Sequence, residues 1–368
     1  MRDPLALQAR FFLMVFSTVM LAAAAPAGFD LPRPNGPYPV GTRSMVLVDA
    51  QRHRDISLTI WYPSTAGKSA PAPYMDAKTA AALAAEWELT SGFERQIRTH
   101  ATVEASIAEG SPFPIVLLEH GSGVVPAIYT VLAEGLASSG YVVVAANHIP
   151  DSLIAVFPDG HEIRGSPYWP VDADRATQGR AIGAFAQTVL VADARFVLDK
   201  LTEINAHDPF WHARLTPSRT GIIGHSMCGT TASLAADQDG RIVAGVNIDG
   251  STFPGMNGDV RPVVVHKPYL FLMTEEHASD PGTHGREFTG MPSNSYYVAV
   301  AGADHMSFTD THLIDSRFSR KTRPDDGAFA QALLTTELTR SLVEEFLGKY
   351  LKGESAPYLD LGARVDKK

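Results

Sequence analysis

Short apolar runs alternate with helical patterns along most of the chain, and this alternation constrains the fold more than any other feature. Each run is rich in Val, Ile and Leu and is bounded by turn or polar residues, which predicts a strand. The runs span residues 44–50, 56–62, 113–118, 141–146, 220–224, 242–248, 269–273 and 296–300. Strands that alternate with helices predict an α/β fold with a mostly parallel central sheet and helices on both of its faces.

Helical patterns fill several of the segments between these runs. Helices are predicted over 128–138, over 185–201 and over the small residues that end near residue 236. Apolar residues in the second of these helices and in a C-terminal helix repeat at helical spacing, which predicts one buried face in each. They are Leu190, Ala194, Val197 and Leu201, and Leu334, Leu338, Leu342 and Phe346. Residues 63–112 favour helix with loops, and residues 147–183 favour loop.

One domain is predicted over residues 28–352, because no internal repeat or low-complexity linker divides this part of the chain. A chain of this length buries a large core without disulfides. The tail, residues 353–368, is predicted to be frayed.

Residues 1–27 have the pattern of an export signal. Arg2 and Arg10 precede an apolar stretch at 11–25, which is followed by small residues. The stretch matches a signal peptide in length and is shorter than the roughly 20 residues of a membrane span. The predicted location is therefore secreted or periplasmic, without stable membrane insertion after signal cleavage, and an uncleaved anchor helix is the alternative.

The charge and the cysteine content exclude several classes of site. Lys and Arg number 31 and Asp and Glu number 40, a net charge of −9, and there is no basic run. Nucleic-acid binding relies on clustered Lys and Arg, so no nucleic-acid partner is expected. Cys228 is the single cysteine, which excludes an intramolecular disulfide and a Cys-based zinc site. Glu275, Glu276 and His277 are predicted to be solvated rather than metal-binding, and no cofactor is expected.

The segment 221–229, Gly-Ile-Ile-Gly-His-Ser-Met-Cys-Gly, follows a predicted strand and opens a predicted helix. This is the context of a nucleophile elbow, in which a serine on a strained turn points its hydroxyl away from the sheet. Small residues are needed two positions to either side, where strand and helix approach. Gly224 meets this need, whereas Cys228 replaces the usual glycine and Gly229 follows one step later. Ser226 is the predicted nucleophile, and an ordinary helix N-cap serine is the alternative.

A serine nucleophile needs a base that is oriented by an acid, in the chain order Ser, acid, His. His305 follows a late strand at its carboxyl end, where the base should lie, and is the predicted base. His266 precedes a strand, and His277 and His284 lie in a polar loop that is predicted to face solvent.

The predicted acid is Asp249, which ends the run at 242–248 at the carboxyl edge of the sheet. Glu275 and Glu276 follow the next strand and are the alternatives. Asp304 is adjacent in sequence to the predicted base and cannot easily orient its ring.

Two backbone N–H groups are required to bind the developing oxyanion. The first is expected from Met227, the residue after the nucleophile. The second is expected from Ser122 in the loop 119–123, Glu-His-Gly-Ser-Gly, and a plain glycine turn is the alternative. His120 is predicted to support this loop, and His225 is predicted to be a packed structural histidine.

These motifs occur together in the α/β-hydrolase superfamily, which the chain resembles. Within it, the chain is similar to the bacterial relatives of plasma-type platelet-activating factor acetylhydrolase and of dienelactone hydrolase. The matching segments lie at 60–63, 119–123, 147–148 with 151–152, 224–227, 247–250 and 303–305. The resemblance implies ester hydrolysis without a metal, and it places the acid on the strand directly after the nucleophile helix, at Asp249. Gly-His-Ser-Met also resembles secreted polyesterases.

The predicted function is that of a secreted serine carboxylesterase acting on neutral, short-acyl esters, either small or polymeric. The alternatives are a polyester or lipid ester hydrolase, a thioesterase or amidase, and a catalytically inactive hydrolase fold that binds a ligand. Phe157, Tyr168 and Trp169 are predicted to form a wall or cap over Ser226, or else a surface loop.

Overall fold

A large central sheet organises the part of the chain that the structure describes. The computed structural model describes residues 28–67, 70–110, 112–250, 266–279, 292 and 294–362. The predicted signal, residues 1–27, lies outside the described residues. The described strands are β1 Phe29–Asp30, β2 Val40–Asp49, β3 Arg54–Pro63, β4 Ile97–Arg98, β5 Ala101–Val103, β6 Phe113–Glu119, β7 Val142–Asn147, β8 Ile154–Val156, β9 Glu162–Arg164, β10 Leu215–His225, β11 Ile242–Ile248, β12 Tyr269–Thr274 and β13 Tyr296–Val300.

Nine of these described strands form one sheet in the order β13-β12-β11-β10-β6-β7-β3-β2-β5. All neighbours from β13 to β7 are parallel, and only β3 runs antiparallel to both of its neighbours. The predicted mostly parallel sheet is therefore confirmed.

Helices cover both faces of the sheet, as predicted. The described helices are α1 Ala77–Glu86, α2 Thr130–Ser138, α3 Arg175–Phe185, α4 Val191–His207, α5 Met227–Gln238, α6 Glu275–Ser279, α7 Thr311–Phe318, α8 Asp326–Leu347 and α9 Pro357–Gly362. Buried residues of α2, α7 and α8 belong to one apolar cluster, and those of α4 and most of α5 belong to a second cluster.

Alternation along the central strands separates these two clusters. In β6, Val116 and Leu118 pack into the first cluster, whereas Ile115 and Leu117 pack into the second. Successive side chains of a strand point to opposite faces, so a strand buried on both faces must be apolar throughout. This explains why the central strands appear in the sequence as unbroken apolar runs.

The helical run Ala176–His207 is long and apolar enough to cross a membrane by length and composition alone. It consists of α3, a π-helical turn at Ala186–Leu190, and α4. The predicted face of Leu190, Ala194, Val197 and Leu201 is buried. Asp193 on the same helix is also buried, and it forms ion pairs with Arg52 and Arg54. The packing is that of a core helix on a sheet.

Two segments contain more regular structure than predicted. Within 63–112, α1 is the described α-helix, and the short strand β5 pairs with β2 at the sheet edge. Within 147–183, β8 and β9 form a hairpin and α3 begins. Short strands of two or three residues carry too little periodicity to be recognised in a sequence.

The C-terminal region differs from its prediction in two respects. Leu334 and Leu338 are 66% and 45% exposed, whereas Phe346 is buried. A helical turn has 3.6 residues, so each interval of four residues moves the side chain further around the helix. Leu334 and Phe346, three such intervals apart, therefore lie on different faces. The tail is not frayed at its start, because α9 packs on α8 and buries Leu359. Residues 363–368 lie outside the described residues.

Candidate active site

Three predicted site residues meet at the carboxyl edge of the parallel strands. Ser226 follows β10, Asp249 follows β11, and His305 lies in the loop after β13. Parallel strands present their carboxyl ends at one edge of a sheet, which explains why residues distant in sequence come together there.

The backbone at Ser226 has the strained geometry of the predicted elbow. Its φ is 57° and its ψ is −129°, a conformation that residues other than glycine rarely adopt. Ser226 precedes α5, but its side chain makes no capping hydrogen bond. A Cβ at Gly224 would lie 1.9 Å from the carbonyl oxygen of Cys228, so only glycine fits there. The hydroxyl is therefore turned away from the helix, unlike that of an N-cap serine.

The side chains of Ser226, His305 and Asp249 form a continuous hydrogen-bonded chain. His305 Nε2 lies 2.8 Å from Ser226 Oγ, and His305 Nδ1 lies 2.7 Å from Asp249 Oδ2. The Asp249 carboxylate accepts only, so Nδ1 carries the ring proton and Nε2 is left to accept the proton of the serine.

The environment of Asp249 keeps its carboxylate ionised. Burial acts to raise its pKa, but hydrogen bonds from His305 and from the Thr274 N–H, together with nearby His277, lower the pKa below the ordinary value. A carboxylate that stays ionised both orients the imidazole and stabilises its protonated form.

Among the described residues, the glutamates and the other histidines that follow Ser226 in sequence, His277 apart, make none of the contacts of this hydrogen-bonded chain. Glu275 and Glu276 are exposed at the start of α6. His266 contacts Asp237, and His312 contacts Asp304. His284 lies outside the described residues.

His277 does not simply face solvent as predicted. Its Nδ1 lies 2.8 Å from Asp249 Oδ1, the oxygen that His305 does not contact. The side chain is 37% exposed, so it is reached by solvent on one side and by the carboxylate on the other. Its position three residues after β12, the strand next to β11, is the sequence signal that could have indicated this contact.

The glycine-rich loop after β6 lies directly against Ser226. A Cβ at Gly121 would lie 3.2 Å from the Ser226 Cβ. The N–H of Gly121 donates to the Tyr129 hydroxyl, and the N–H of Gly123 donates to the Asp151 carbonyl. Within the described part of the chain, the Ser122 N–H between them has no backbone or side-chain acceptor.

A buried chain of hydrogen bonds links this loop to the loop of His305, and the sequence did not predict it. The Tyr129 hydroxyl lies 2.8 Å from His225 Nδ1, and His225 Nε2 lies 2.8 Å from the His305 carbonyl oxygen. A carbonyl only accepts, so Nε2 donates and Nδ1 accepts from Tyr129. Burial lowers the pKa of His225 to about 3, which keeps the ring neutral and in this structural role.

A buried charged network holds the other side of the loop. His148 lies between Glu119, at the end of β6, and Asp193 of α4. Burial acts to lower the pKa of His148, but the two carboxylates raise it to about 10, so the ring is charged. His120 packs beside it, and burial lowers its pKa to about 3. Its Nδ1 lies 2.8 Å from the Gly121 carbonyl, in the predicted supporting role.

An apolar wall stands beside the elbow. Met227, the residue after Ser226, is buried in a cluster with Leu190, and Tyr168 and Phe185 pack against it. The Tyr168 hydroxyl donates to the Met227 sulfur at 2.6 Å, and the rings of Tyr168 and Phe185 stack with centroids 3.8 Å apart.

Phe157 is not part of this wall. It stacks on His161 and lines a separate cavity of about 580 Å³, together with Trp61 and Tyr74. None of the described residues lining that cavity belongs to the Ser226 site. Of the three aromatic residues predicted for a wall or cap, Tyr168 therefore packs beside the elbow and Phe157 does not, and the Trp169 ring contacts that of Tyr168.

Asp249, His277 and His305 form a group whose ligand atoms all lie within 4.8 Å of one another. Two imidazoles and a carboxylate are a donor set that a transition metal could bind. The sequence prediction of a solvated His277 did not anticipate this group.

Comparisons with known proteins agree with this architecture. The family model for platelet-activating factor acetylhydrolase, isoform II, matches residues 23–159 and 210–353, more than half of the chain. A probable 1-alkyl-2-acetylglycerophosphocholine esterase of Arthroderma benhamiae is 26% identical over 279 residues, covering 68% of this chain and 66% of that protein. The platelet-activating factor acetylhydrolase of Cavia porcellus is 25% identical over 303 residues, covering 76% of this chain and 69% of that protein.

The chain thus spans about two thirds of the length of these curated relatives. Among solved structures, a ferulic acid esterase from Streptomyces cinnamoneus superposes with a TM-score of 0.75 and 28% identity, covering 91% of this chain and 96% of the other. The relatives and the structural neighbour are all named as hydrolases of carboxylic esters. The chain therefore belongs to the platelet-activating factor acetylhydrolase, isoform II, family of ester hydrolases.

Proposed function

We propose that this protein is a secreted serine carboxylesterase that hydrolyses neutral, short-acyl esters. One observation carries the assignment: the Ser226 hydroxyl, on a strained elbow, lies 2.8 Å from an imidazole whose other nitrogen contacts an ionised carboxylate. This arrangement activates a serine as a nucleophile.

The reaction follows from the positions of these atoms. His305 Nε2 takes the proton of Ser226 as Oγ attacks the ester carbonyl carbon. The imidazolium then gives this proton to the leaving alcohol, and an acyl-serine remains. A water molecule, deprotonated by the same nitrogen, attacks the acyl-serine, and the proton returns to Oγ as the acid is released. Asp249 holds the ring and stabilises its charged form.

The proposed oxyanion donors are the N–H groups of Met227 and Ser122. Met227 opens α5, where the first backbone N–H groups have no acceptor within the helix. Ser122 supplies the free donor of the loop that lies against Ser226. Two such donors typically contribute several kcal/mol to a tetrahedral transition state.

The apolar wall supports a short acyl group. Tyr168 closes over Met227 by the hydroxyl–sulfur contact, and Phe185 stacks behind it. An acyl chain that extends from the oxyanion donors along Met227 would soon meet these side chains. Tyr168, Phe185 and Leu190 of the wall lie in residues 160–209, which the family model does not match.

Hydrolysis of aromatic acyl esters is a second candidate function. The structural neighbour is named a ferulic acid esterase, and Tyr168 presents a ring that also contacts Trp169. Aromatic rings stack favourably on a planar acyl group. A rotation of Tyr168 away from Met227 would open the space that such a group needs.

The experiment is a substrate panel with matched variants. The panel contains p-nitrophenyl esters of increasing acyl length, methyl ferulate, a 2-acetyl glycerophosphocholine, a polyester film, a thioester and an anilide. Short p-nitrophenyl esters should be hydrolysed best. The Tyr168→Ala variant should shift the preference toward longer acyl groups, and Phe157→Ala, which alters the separate cavity, should not. Higher kcat/KM for methyl ferulate, the phospholipid or the polyester would favour those alternatives.

A fluorophosphonate probe tests the nucleophile itself. The probe should label wild type and should not label Ser226→Ala, which should fold normally and lose roughly 10⁴-fold or more in kcat. A Ser226→Ala protein that keeps more than about a tenth of the activity would contradict the assignment. Absence of labelling and of hydrolysis in folded wild type would favour an inactive hydrolase fold that binds a ligand.

Secretion rests on the pattern of residues 1–27 alone. N-terminal sequencing of protein recovered from the periplasm or the medium should show cleavage near Ala25 to Ala27. Recovery of the uncleaved chain in the membrane fraction would favour an anchor helix.

A further inference from the structure

Two imidazoles approach the same buried carboxylate, one at each oxygen. His277 Nδ1 lies 2.8 Å from Asp249 Oδ1, and His305 Nδ1 lies 2.7 Å from Asp249 Oδ2. The mechanism uses only the second of these contacts. The first places an additional nitrogen donor within reach of the proposed acid and base.

We propose that Asp249, His277 and His305 form an inhibitory zinc site superimposed on the proposed catalytic residues. Neutral imidazole nitrogens and a carboxylate oxygen are the usual protein ligands of Zn²⁺, whereas Mg²⁺ and Ca²⁺ prefer oxygen alone. Three such ligands with an open fourth position for water complete a tetrahedral coordination.

The exposure of the three side chains suits capture of an ion from solvent. The Asp249 side chain is fully buried and fixed, whereas those of His277 and His305 are 37% and 40% exposed. Water can therefore occupy the fourth position on the exposed side. The Thr274 N–H, which donates to Oδ1, keeps the carboxylate in place.

One ligand atom from each of the three residues lies within 4.8 Å of the other two. With bonds of about 2.0–2.1 Å, two ligand atoms on a tetrahedral zinc ion lie about 3.3 Å apart. The present N···O contacts of 2.7 and 2.8 Å are to different oxygens of the carboxylate, so the rings must shift to bind one ion together with a single oxygen. Partly exposed rings can make such a movement, whereas a fully packed core does not allow it.

Zinc at His305 Nδ1 would stop catalysis by moving a proton. The ion takes the lone pair at Nδ1, so the proton of a neutral ring moves to Nε2, and a protonated ring releases one proton to water. Nε2 then donates to Ser226 Oγ instead of accepting from it. The serine cannot be deprotonated while the ion is bound, and removal of the ion restores activity.

A thiol does not provide a competing explanation for zinc inhibition. The sequence has a single cysteine, Cys228, which is fully buried, and burial raises the pKa of its thiol well above the ordinary value. The thiolate that would bind zinc is therefore suppressed.

The binding test uses Ser226→Ala protein, which keeps all three ligands. Calorimetric titration with zinc chloride in a non-chelating buffer should show a site that takes one ion. Adding His277→Gln should weaken the affinity at least tenfold, and adding Asp249→Asn should do the same. Adding His266→Gln, whose ring contacts Asp237 away from this cluster, should leave it unchanged. Circular dichroism verifies that each variant is folded, and His277→Ala replaces His277→Gln if the latter is not.

The inhibition test rests on the proposed function, whereas the binding test does not, so the two can fail separately. EDTA should leave wild-type activity intact. Zinc should lower that activity at least tenfold, and EDTA should then restore it. His277→Gln, measured relative to its own metal-free activity, should be at least tenfold less sensitive to zinc.

Equal zinc affinity with and without His277, or no zinc binding to the Ser226→Ala protein, would overturn the site. Activity that requires a metal would overturn its inhibitory role.

Discussion

Ser226 and Asp249 occupy matching strained positions, each one residue beyond the end of adjacent parallel strands. The last paired residues are His225 and Ile248, and the next residues have φ values of 57° and 47°. The Ser226 N–H donates to the Ile248 carbonyl, which ties the two turns together. Positive φ at two non-glycine residues costs free energy, and such strain is typically retained at functional sites.

This pairing, with the contact between Asp249 and His305, supports the proposal that the reaction requires the charge of Asp249 rather than that of a glutamate of α6. Asp249→Asn keeps the shape of the side chain but removes the charge that orients and stabilises the imidazolium. We expect kcat to fall by about 10⁴. Glu275→Gln and Glu276→Gln are matched controls, because both side chains are exposed, and they should remain within a few-fold of wild type.

Steady-state kinetics on a short p-nitrophenyl ester compare the three variants. A large loss in a glutamate variant, together with an active Asp249→Asn protein, would move the acid to the following strand.

Tyr129 should matter for turnover although it does not reach the nucleophile. Tyr129→Phe leaves the Gly121 N–H and His225 Nδ1 without their buried partner. Each such loss costs about 1–3 kcal/mol, and the loop carrying the Ser122 donor loses its anchor. We expect reduced stability and a drop in kcat of about tenfold, a loss equivalent to about 1.4 kcal/mol in the barrier.

Tyr74→Phe is the control for this prediction. Its buried hydroxyl donates to Asp310, which also accepts from the Thr130 N–H at the start of α2, so this hydrogen bond does not involve the Gly121 N–H or His225. Its removal should lower the urea midpoint to a similar extent without changing kcat. Equal losses of kcat in the two variants would mean that Tyr129 acts only through global stability.

The charged state of His148 predicts how stability depends on pH. Its folded-state pKa, about 10, lies above the ordinary value for histidine. The resulting stabilisation is complete below about pH 6.5 and is lost as the pH rises toward 10, at up to about 1.4 kcal/mol per pH unit. The free energy of unfolding of wild type should therefore approach that of His148→Gln as the pH is raised from 6.5 to 9.5. A difference that stays constant across urea titrations in this range would show that His148 is neutral in the folded protein.

The parallel core of the fold could be predicted from the sequence because burial on both faces forces an unbroken apolar run. The strands β6, β7, β11 and β12 were predictable for this reason, whereas β13, at the sheet edge, is partly exposed. The short strand β5 could not be, because its three residues are held by backbone pairing with β2 rather than by an apolar pattern.

The site was predictable to the extent that it depends on strand ends. The positions of Ser226, Asp249 and His305 follow from the chain order, and the structure brings them within hydrogen-bonding distance. Contacts of His277 and Tyr129 depend on how loops and helices approach each other in space. Neither lies in a motif, and the one sequence signal was the position of His277 shortly after β12.

The glycine after the elbow stands at position 229 instead of the usual position 228, and the structure offers a physical explanation for this. A Cβ at Gly229 would lie 2.3 Å from Asn247 Oδ1, so α5 approaches β11 closely at this position and a side chain there would clash. The Cys228 side chain instead points into the small cluster of Ala186, Leu190 and Met227.

The last prediction follows from this placement of Cys228. Cys228→Ala and Cys228→Gly should fold and remain active, because neither overfills the cluster and the thiol has no chemical role. Cys228→Leu replaces two side-chain heavy atoms with four in a fully buried position beside a strained turn, and overpacking typically costs about 1–3 kcal/mol. It should therefore lower the urea midpoint and the activity.

A thiol reagent should react slowly with the folded wild type, because burial raises the pKa of the thiol. A folded but inactive Cys228→Ala protein would mean that the thiol takes part in the reaction, and the assignment of Ser226 as the single nucleophile would have to be revised.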